Sequence, residues 1–411
     1  MLKILKKANI YFIFLNLFFL QAYLLKFKIG PYPSNLQEIL LGSNLLLSIV
    51  LQLQKGIFTK TIRDFFRQSW LLIILSLFTI AASFNSNIID QTELLRQYKF
   101  LFFAGVFLYL FLTNFSNTDE KKTALKIMGI GAITFGLFSV IYNLLGLNVS
   151  EDQRIRGPLD SAVYLGYFLA PFMIFFSMEY LQKLSKHNLG IASILLFIML
   201  TTKSMGAIAG SIGVIIAYSY MLYKEKILQN KYLKFGMIFI VMLVLATIFY
   251  TKILPTITTQ WSSLDERGQI WQTAWYILVE KKNILLGVGP GQFQPHYFKD
   301  AIVAINNIPL DLHVLQPHNL LLLFWLNYGL AGLALIIFLM GKVCHNILLN
   351  KNLTKESFTL SMNFIALYFI LHGQIDTPIF KNDMLILFLL FFTLATSNTE
   401  NKMEKTSEQS K

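Results

Sequence analysis

Twelve apolar stretches, each about long enough to cross a bilayer and divided by short polar segments, dominate this sequence. A membrane-spanning helix needs about 20 predominantly apolar residues. The runs fall near 8–25, 36–52, 69–84, 98–115, 124–147, 162–178, 189–202, 205–222, 235–251, 319–341, 358–375 and 383–396. With 55% apolar residues and only 14% charged, the chain carries more apolar surface than water tolerates, which rules out a soluble, collagen-like, disordered or coiled-coil protein. The sequence predicts an all-α integral membrane protein of about twelve transmembrane helices. Lys3, Lys6 and Lys7 precede the first run and Lys26 and Lys28 follow it with no small-x-small cleavage site, so an uncleaved span is expected.

Charge sets the orientation. The excess of 13 positive charges would suggest nucleic acid in a soluble protein; here the cations sort by side of the membrane, and no nucleic-acid partner is expected. With both termini inside, 22 Lys and Arg fall on inner segments and 13 on outer ones, five of the latter in one long loop where the positive-inside rule has little force. That bias predicts a cytoplasmic N-terminus and a long loop on the outer side. The expected organisation is spans one to five over 1–150, spans six to nine with an outer arginine loop over 151–250, the periplasmic loop over 251–318, spans ten to twelve over 319–397, and a polar cytoplasmic tail over 398–411. The lone Cys344 excludes an intramolecular disulfide.

Within the long loop, Ile270, Trp271, Ala274, Trp275 and Leu278 repeat at helical spacing. An amphipathic helix over 264–278 is expected on the outer membrane face, with Trp271 and Trp275 at headgroup depth. A glycine-rich turn, Gly287-Val288-Gly289-Pro290-Gly291, follows it. Glycine lets backbone approach a ligand closely, though a plain helix stop explains the turn as well.

Polar groups collect at the outer ends of spans. Glu151 to Pro158 holds Arg154 and Arg156, which read either as snorkelling side chains paired with acidic neighbours or as guanidinium forks for a phosphate. Arg267 lies in the amphipathic helix, Lys203 just before span eight, and Gln316-Pro317-His318-Asn319 at the entry to span ten. Gly329 and Gly332 inside that span have a packing role as an alternative to a motif role. The sequence lacks a P-loop, G-x-G-x-x-G, H-E-x-x-H, C-x-x-C and Asp-x-Asp, so no cofactor and no metal site are expected.

In pattern and order these residues resemble the O-antigen ligase and polymerase superfamily. His318-Asn319, nine residues, Gly329, two residues and Gly332 look like the ligase signature H-[NSQ]-x9-G-x-x-G. Glu266-Arg267 to Trp271 and the 287–291 turn resemble the family's long loop, and Arg156-Gly157 before span six also fits. Ser204-Met205-Gly206-Ala207 departs from the usual S-R-G-A, with Lys203 as a displaced cation, and Asp376-Thr377-Pro378 is a weaker echo.

The resemblance implies transfer of a polysaccharide from undecaprenyl pyrophosphate to a sugar hydroxyl of lipid A–core, in a periplasm-facing site of a bacterial inner membrane, with membrane lipid as the surroundings. His318 would be the catalytic base. Arg154, Arg156, Arg267, Lys203, Asn319 and Gly289 would bind substrate. An imidazole, with an ordinary pKa of about 6.5, is suited to that work. Two alternatives stay open: an O-antigen polymerase extending the lipid-linked glycan, and a lipid or sugar transporter, which intramembrane charges and broken helices would favour.

Overall fold

A computed structural model describes residues 2–29, 32–147, 154–230, 236, 242, 263–349 and 358–397. Its helices are α1 (Leu2–Phe18), α2 (Leu36–Gln54), α3 (Phe58–Gln68), α4 (Trp70–Ala82), α5 (Gln91–Asn114), α6 (Thr118–Leu144), α7 (Ala162–Lys183), α8 (Lys186–Thr201), α9 (Met205–Gln229), α10 (Ser263–Val279), α11 (Phe293–Ile305), α12 (Leu320–Leu348), α13 (Phe358–His372) and α14 (Asn382–Thr396). Apart from the first, each apolar run within the described residues lies mainly on one of these helices; the 8–25 run leaves α1 at Phe18 and ends in a 3-10 turn over Leu20–Leu24, and the run at 235–251 and the tail after 397 lie almost wholly outside the described residues.

Polar caps set several of the boundaries. The Asn35 side chain accepts from Glu38 N–H at the start of α2, Asp90 from Thr92 and Glu93 at the start of α5, and Ser161 from Val163 at the start of α7. Asn117 and Glu120 form a reciprocal capping box on α6.

Among the described residues, six helices are long and apolar enough to cross a membrane, seven if α3 and α4 are one bent span; Lys186–Thr201, Phe358–His372 and Asn382–Thr396 are apolar but shorter. The chain is a multi-pass membrane protein. Helices α7, α13 and α14 are apolar on every side and sit at the centre of the main core, as helices without a polar face must. Outlying helices leave residues such as Phe102, Phe197, Ile337 and Phe338 more than half exposed, a surface suited to lipid.

Two features escaped the periodicity. The helix pair α3 and α4 bends by 78° at Ser69, whose hydroxyl donates to Phe65 O. In α3, Lys60, Arg63, Asp64 and Arg67 are exposed while Phe65 is buried, so this helix has an amphipathic face that α4 lacks. A short antiparallel hairpin, β1 (Lys26–Ile29) and β2 (Tyr32–Asn35), links α1 to α2, a minor departure from an all-α fold.

Candidate functional site

At the start of α12, Asn319 is the cap: its side-chain oxygen accepts from Leu321 and Leu322 N–H at 3.0 and 3.1 Å. The neighbouring Leu320 N–H donates to Gly373 O at 2.6 Å, just past the end of α13. No side chain fits at Gly373, where a Cβ would stand 2.7 Å from Phe369 O and 3.0 Å from Leu320 Cβ. This close approach joins two segments far apart in sequence and sets His318 against Asp376, Nδ1 to Oδ1, at 2.8 Å. His318 holds a left-handed backbone with φ of 50°, an uncommon conformation for a residue with a Cβ.

Burial would push the Asp376 carboxyl up, but the His318 hydrogen bond, with the charges of His318, His372 and Arg267, outweighs it and holds the group below its ordinary range. An ionised carboxylate only accepts hydrogen bonds, so His318 Nδ1 is the donor and Nε2 becomes the basic nitrogen. In the sequence Asp376 is no more than a weak echo of the family pattern. A contact across 58 residues leaves no local periodic signal.

Arg267 reaches the same point from α10. Its Nε donates to Ile375 O at 2.9 Å, one residue before Asp376. One turn on, Trp271 Nε1 donates to Pro317 O at 3.0 Å, one residue before His318. The helix predicted over 264–278 is therefore present, but its apolar side is taken up by protein. Ile270, Ala274, Ile277 and Leu278 pack with residues of α11 and α12 in a second core, separate from the main one. Trp271 turns towards Pro317, while the half-exposed Trp275 stands edge-on to Trp325 with centroids 6.0 Å apart.

The glycine motifs meet each other. At Gly329 (φ 65°, ψ −155°) α12 breaks, and a Cβ there would lie 1.9 Å from Leu285 O. A Cβ at Gly287 would lie 2.3 Å from Leu326 O. Val288 and Gly289 N–H both donate to Leu326 O, at 2.7 and 3.2 Å, and Leu330 N–H donates to Leu285 O at 3.2 Å. Backbone polar groups that the break would leave unmatched are thus satisfied by the 285–289 turn. Gly289 faces Leu326 and Ile88, and stands apart from the groups gathered around His318.

The remaining cations form a neighbouring cluster. Ile155 N–H donates to Thr201 O at 3.4 Å, which lays the Arg154–Arg156 segment against the α8–α9 turn that carries exposed Lys203. Arg156 Nη1 donates to Asp160 O at 3.2 Å, and the Asp160 carboxylate is ion-paired with Lys381, which also lies 3.9 Å over the Tyr164 ring. Burial pushes the Asp160 carboxyl up, and Lys381, Lys26 and Arg156 together bring it below its ordinary value. Neither Asp160 nor Lys381 stood out in the sequence. Glu151, Asp152 and Gln153 lie outside the described residues. Among the described residues no group of three or more His, Cys, Asp or Glu could hold a metal ion.

No curated protein matches the chain. Residues 190–337 match the family model described as O-antigen ligase, a stretch that holds Lys203, Arg267, His318, Asn319 and both glycines of the α12 motif, while Arg156 and Asp376 flank it. Over that stretch the chain is similar to the O-antigen ligase family, a similarity that points to a membrane glycosyltransferase-like enzyme.

Proposed function

We propose that this protein is an O-antigen ligase, moving a polysaccharide from undecaprenyl pyrophosphate to a sugar hydroxyl of lipid A–core without a metal. The observation that carries the reading is the His318–Asp376 pair with Arg267 fixed beside it. As the acceptor oxygen forms its bond to the anomeric carbon of the donor sugar, its proton passes to His318 Nε2, and Asp376 stabilises the imidazolium so formed. The anomeric carbon–oxygen bond to pyrophosphate breaks, and that electron pair leaves with undecaprenyl pyrophosphate. Arg267 stands where the developing charge would need stabilising, with Arg154, Arg156 and Lys203 as further cations for the phosphates. Asn319, as the cap of α12, fixes the backbone beside the base. Gly289 would serve by supporting the broken α12, in place of a direct contact with substrate.

The membrane arrangement belongs to the same proposal: twelve spans with the His318 end at the periplasmic face of a bacterial inner membrane. The positive-inside bias supports it, since α3, with Lys60, Arg63 and Arg67, then lies on the cytoplasmic side. The decisive experiment resolves the lipopolysaccharide of a deletion strain on a gel. Loss of a ligase leaves core without O-antigen; core carrying one repeat unit would instead assign the chain as a polymerase, and an unchanged pattern would reject both. Transfer by purified protein should persist in excess EDTA, and activity that returns only with magnesium or manganese would overturn the metal-free step.

A further inference from the structure

A second space shares Asp160 and Lys381 with the cationic cluster described above. A cavity of about 820 Å³ runs between the β1–β2 hairpin, the start of α5, the 158–160 segment, the 380–382 segment and the start of α11. That volume is in the upper part of the range of roughly 300–1,000 Å³ typical of ligand clefts. Its lining includes Gln316, two residues before His318, and Lys381, five residues after Asp376, so one end adjoins the proposed base.

The lining combines two kinds of group. Within it, Arg96 pairs with Glu93, Lys99 with Glu38 and Lys381 with Asp160. Lys26 and Lys28 of β1 stand beyond these pairs, both exposed and on the same side of the strand, and leave the lining with excess positive charge. Lys26 is close enough to Asp160 to help lower its carboxyl pKa. Two amide oxygens also lack a hydrogen-bond partner among the described residues: Oε1 of Gln97, whose side chain donates to Glu93 and which is only 5% exposed, and Oε1 of Gln316. Buried acceptors of this kind call for donors. Hydroxyl groups supply them, and the rings of Tyr23, Tyr164 and Phe293 add apolar faces of the sort that sugar rings cover.

We infer that this cavity holds the acceptor glycan, its hydroxyls meeting Gln97 and Gln316 and an anionic substituent, a phosphate, gripped by Lys26 and Lys28. The inference rests on the transferase reading of the His318 site and adds to it a separate place for the second substrate. Donor and acceptor then lie on either side of His318, the donor phosphates towards Arg267 and the acceptor towards the hairpin.

The test measures binding by the full chain in phosphatidylcholine nanodiscs. The probes are O-antigen-free lipopolysaccharide, the same material stripped of phosphate with hydrofluoric acid, and undecaprenyl-pyrophosphate-linked glycan. Lys26→Glu with Lys28→Glu should weaken binding of the phosphorylated core by about tenfold or more and leave donor affinity within about twofold, because charge-assisted contacts would be lost at one site only. The corresponding pair of arginine variants should retain binding, and stripped core should bind wild type no better than it binds the glutamate variant. Lys26→Gln with Lys28→Gln removes the charge without reversing it and serves if the glutamate protein does not fold. Unchanged affinity for phosphorylated core in a folded charge-removing variant would overturn the inference, as would a loss confined to the donor. Lysine-dependent displacement of the core by phosphatidylglycerol would assign the cavity to a phospholipid headgroup instead. If core binds in a lysine-dependent manner but no transfer occurs, the transferase reading fails and the anionic-glycan cavity stands.

Discussion

The two cationic regions at the His318 end of the bundle are built on different physical terms. Around His318, side chains are tied to backbone: Arg267 to Ile375 O, Trp271 to Pro317 O, and Asn319 to the first amides of α12. Around Arg156, the organising contact is an ion pair between two side chains, Asp160 and Lys381, with Asp160 largely exposed. Exposed pairs contribute little and tolerate rearrangement, while preorganised donors in a partly buried site act without further ordering. On the proposed reading, the first region suits a step that needs fixed geometry and the second a charged group that can be met in several ways.

The largest expected break in this contrast comes from the base. His318→Ala should fold and keep donor affinity while transfer slows by about 10²–10⁴-fold, the usual worth of a general base. The wild-type rate should rise with pH as an imidazole loses its proton, and the variant should lack that limb. If donor affinity falls and wild-type activity declines with rising pH, His318 is a phosphate ligand; full activity removes it from the mechanism.

Asp376→Asn should come next, slowing transfer by about 10²-fold or more because an amide no longer selects the Nδ1–H tautomer. Its sign in stability is also fixed. The Asp376 carboxyl sits below its ordinary range in the folded protein, so its contribution is present above that range and lost as pH falls through the folded value. Thermal unfolding followed below about pH 4 should therefore show less acid sensitivity in the variant. Equal acid sensitivity would show that the pairing with His318 contributes nothing to the fold.

Arginine replacements sharpen the comparison directly. Arg267→Lys should cost about tenfold to a hundredfold in rate, since an ammonium cannot hold Ile375 O and present a planar fork together. Arg156→Lys should be impaired as well, but less, because its surroundings are adjustable. Near-native rates in both, with normal expression, would mean that the two arginines only snorkel. The smallest effect belongs to Trp271→Phe, which removes one hydrogen bond to Pro317 O; a stability loss of about 1 kcal/mol and a few-fold change in rate are expected in thermal melts and transfer assays. A rate loss as large as that of Arg267→Lys would make the indole part of the binding machinery.

What could be read in the sequence was whatever repeats locally. Apolar runs located the helices, and the spacing of Ile270, Ala274 and Leu278 located α10. Periodicity shows that a face is apolar but does not say what covers it, and so the α10 face expected on lipid proved to be covered by protein. The His318–Asn319 to Gly329 spacing singled out these residues without revealing that Gly329 breaks the helix, because glycine permits both a close helix contact and a positive φ. Asp376, Asp160 and Lys381 were hidden for another reason. Each acquires meaning only from a partner 58 or 221 residues away, a relation created by folding.

The turn that fills the break in α12 also limits how the site can move. Val288 and Gly289 donate to Leu326 O, all three residues being buried, and Leu330 donates to Leu285 O between two exposed residues. Lifting the 285–289 segment would strand several backbone groups at once, each costing about 1–3 kcal/mol. The segment therefore acts as a wedge driven into a cut helix and holds the backbone around the break in place. On the proposed reading, substrates would meet a fixed opening, with any adjustment left to their own flexible chains and to the side chains of the second cationic cluster.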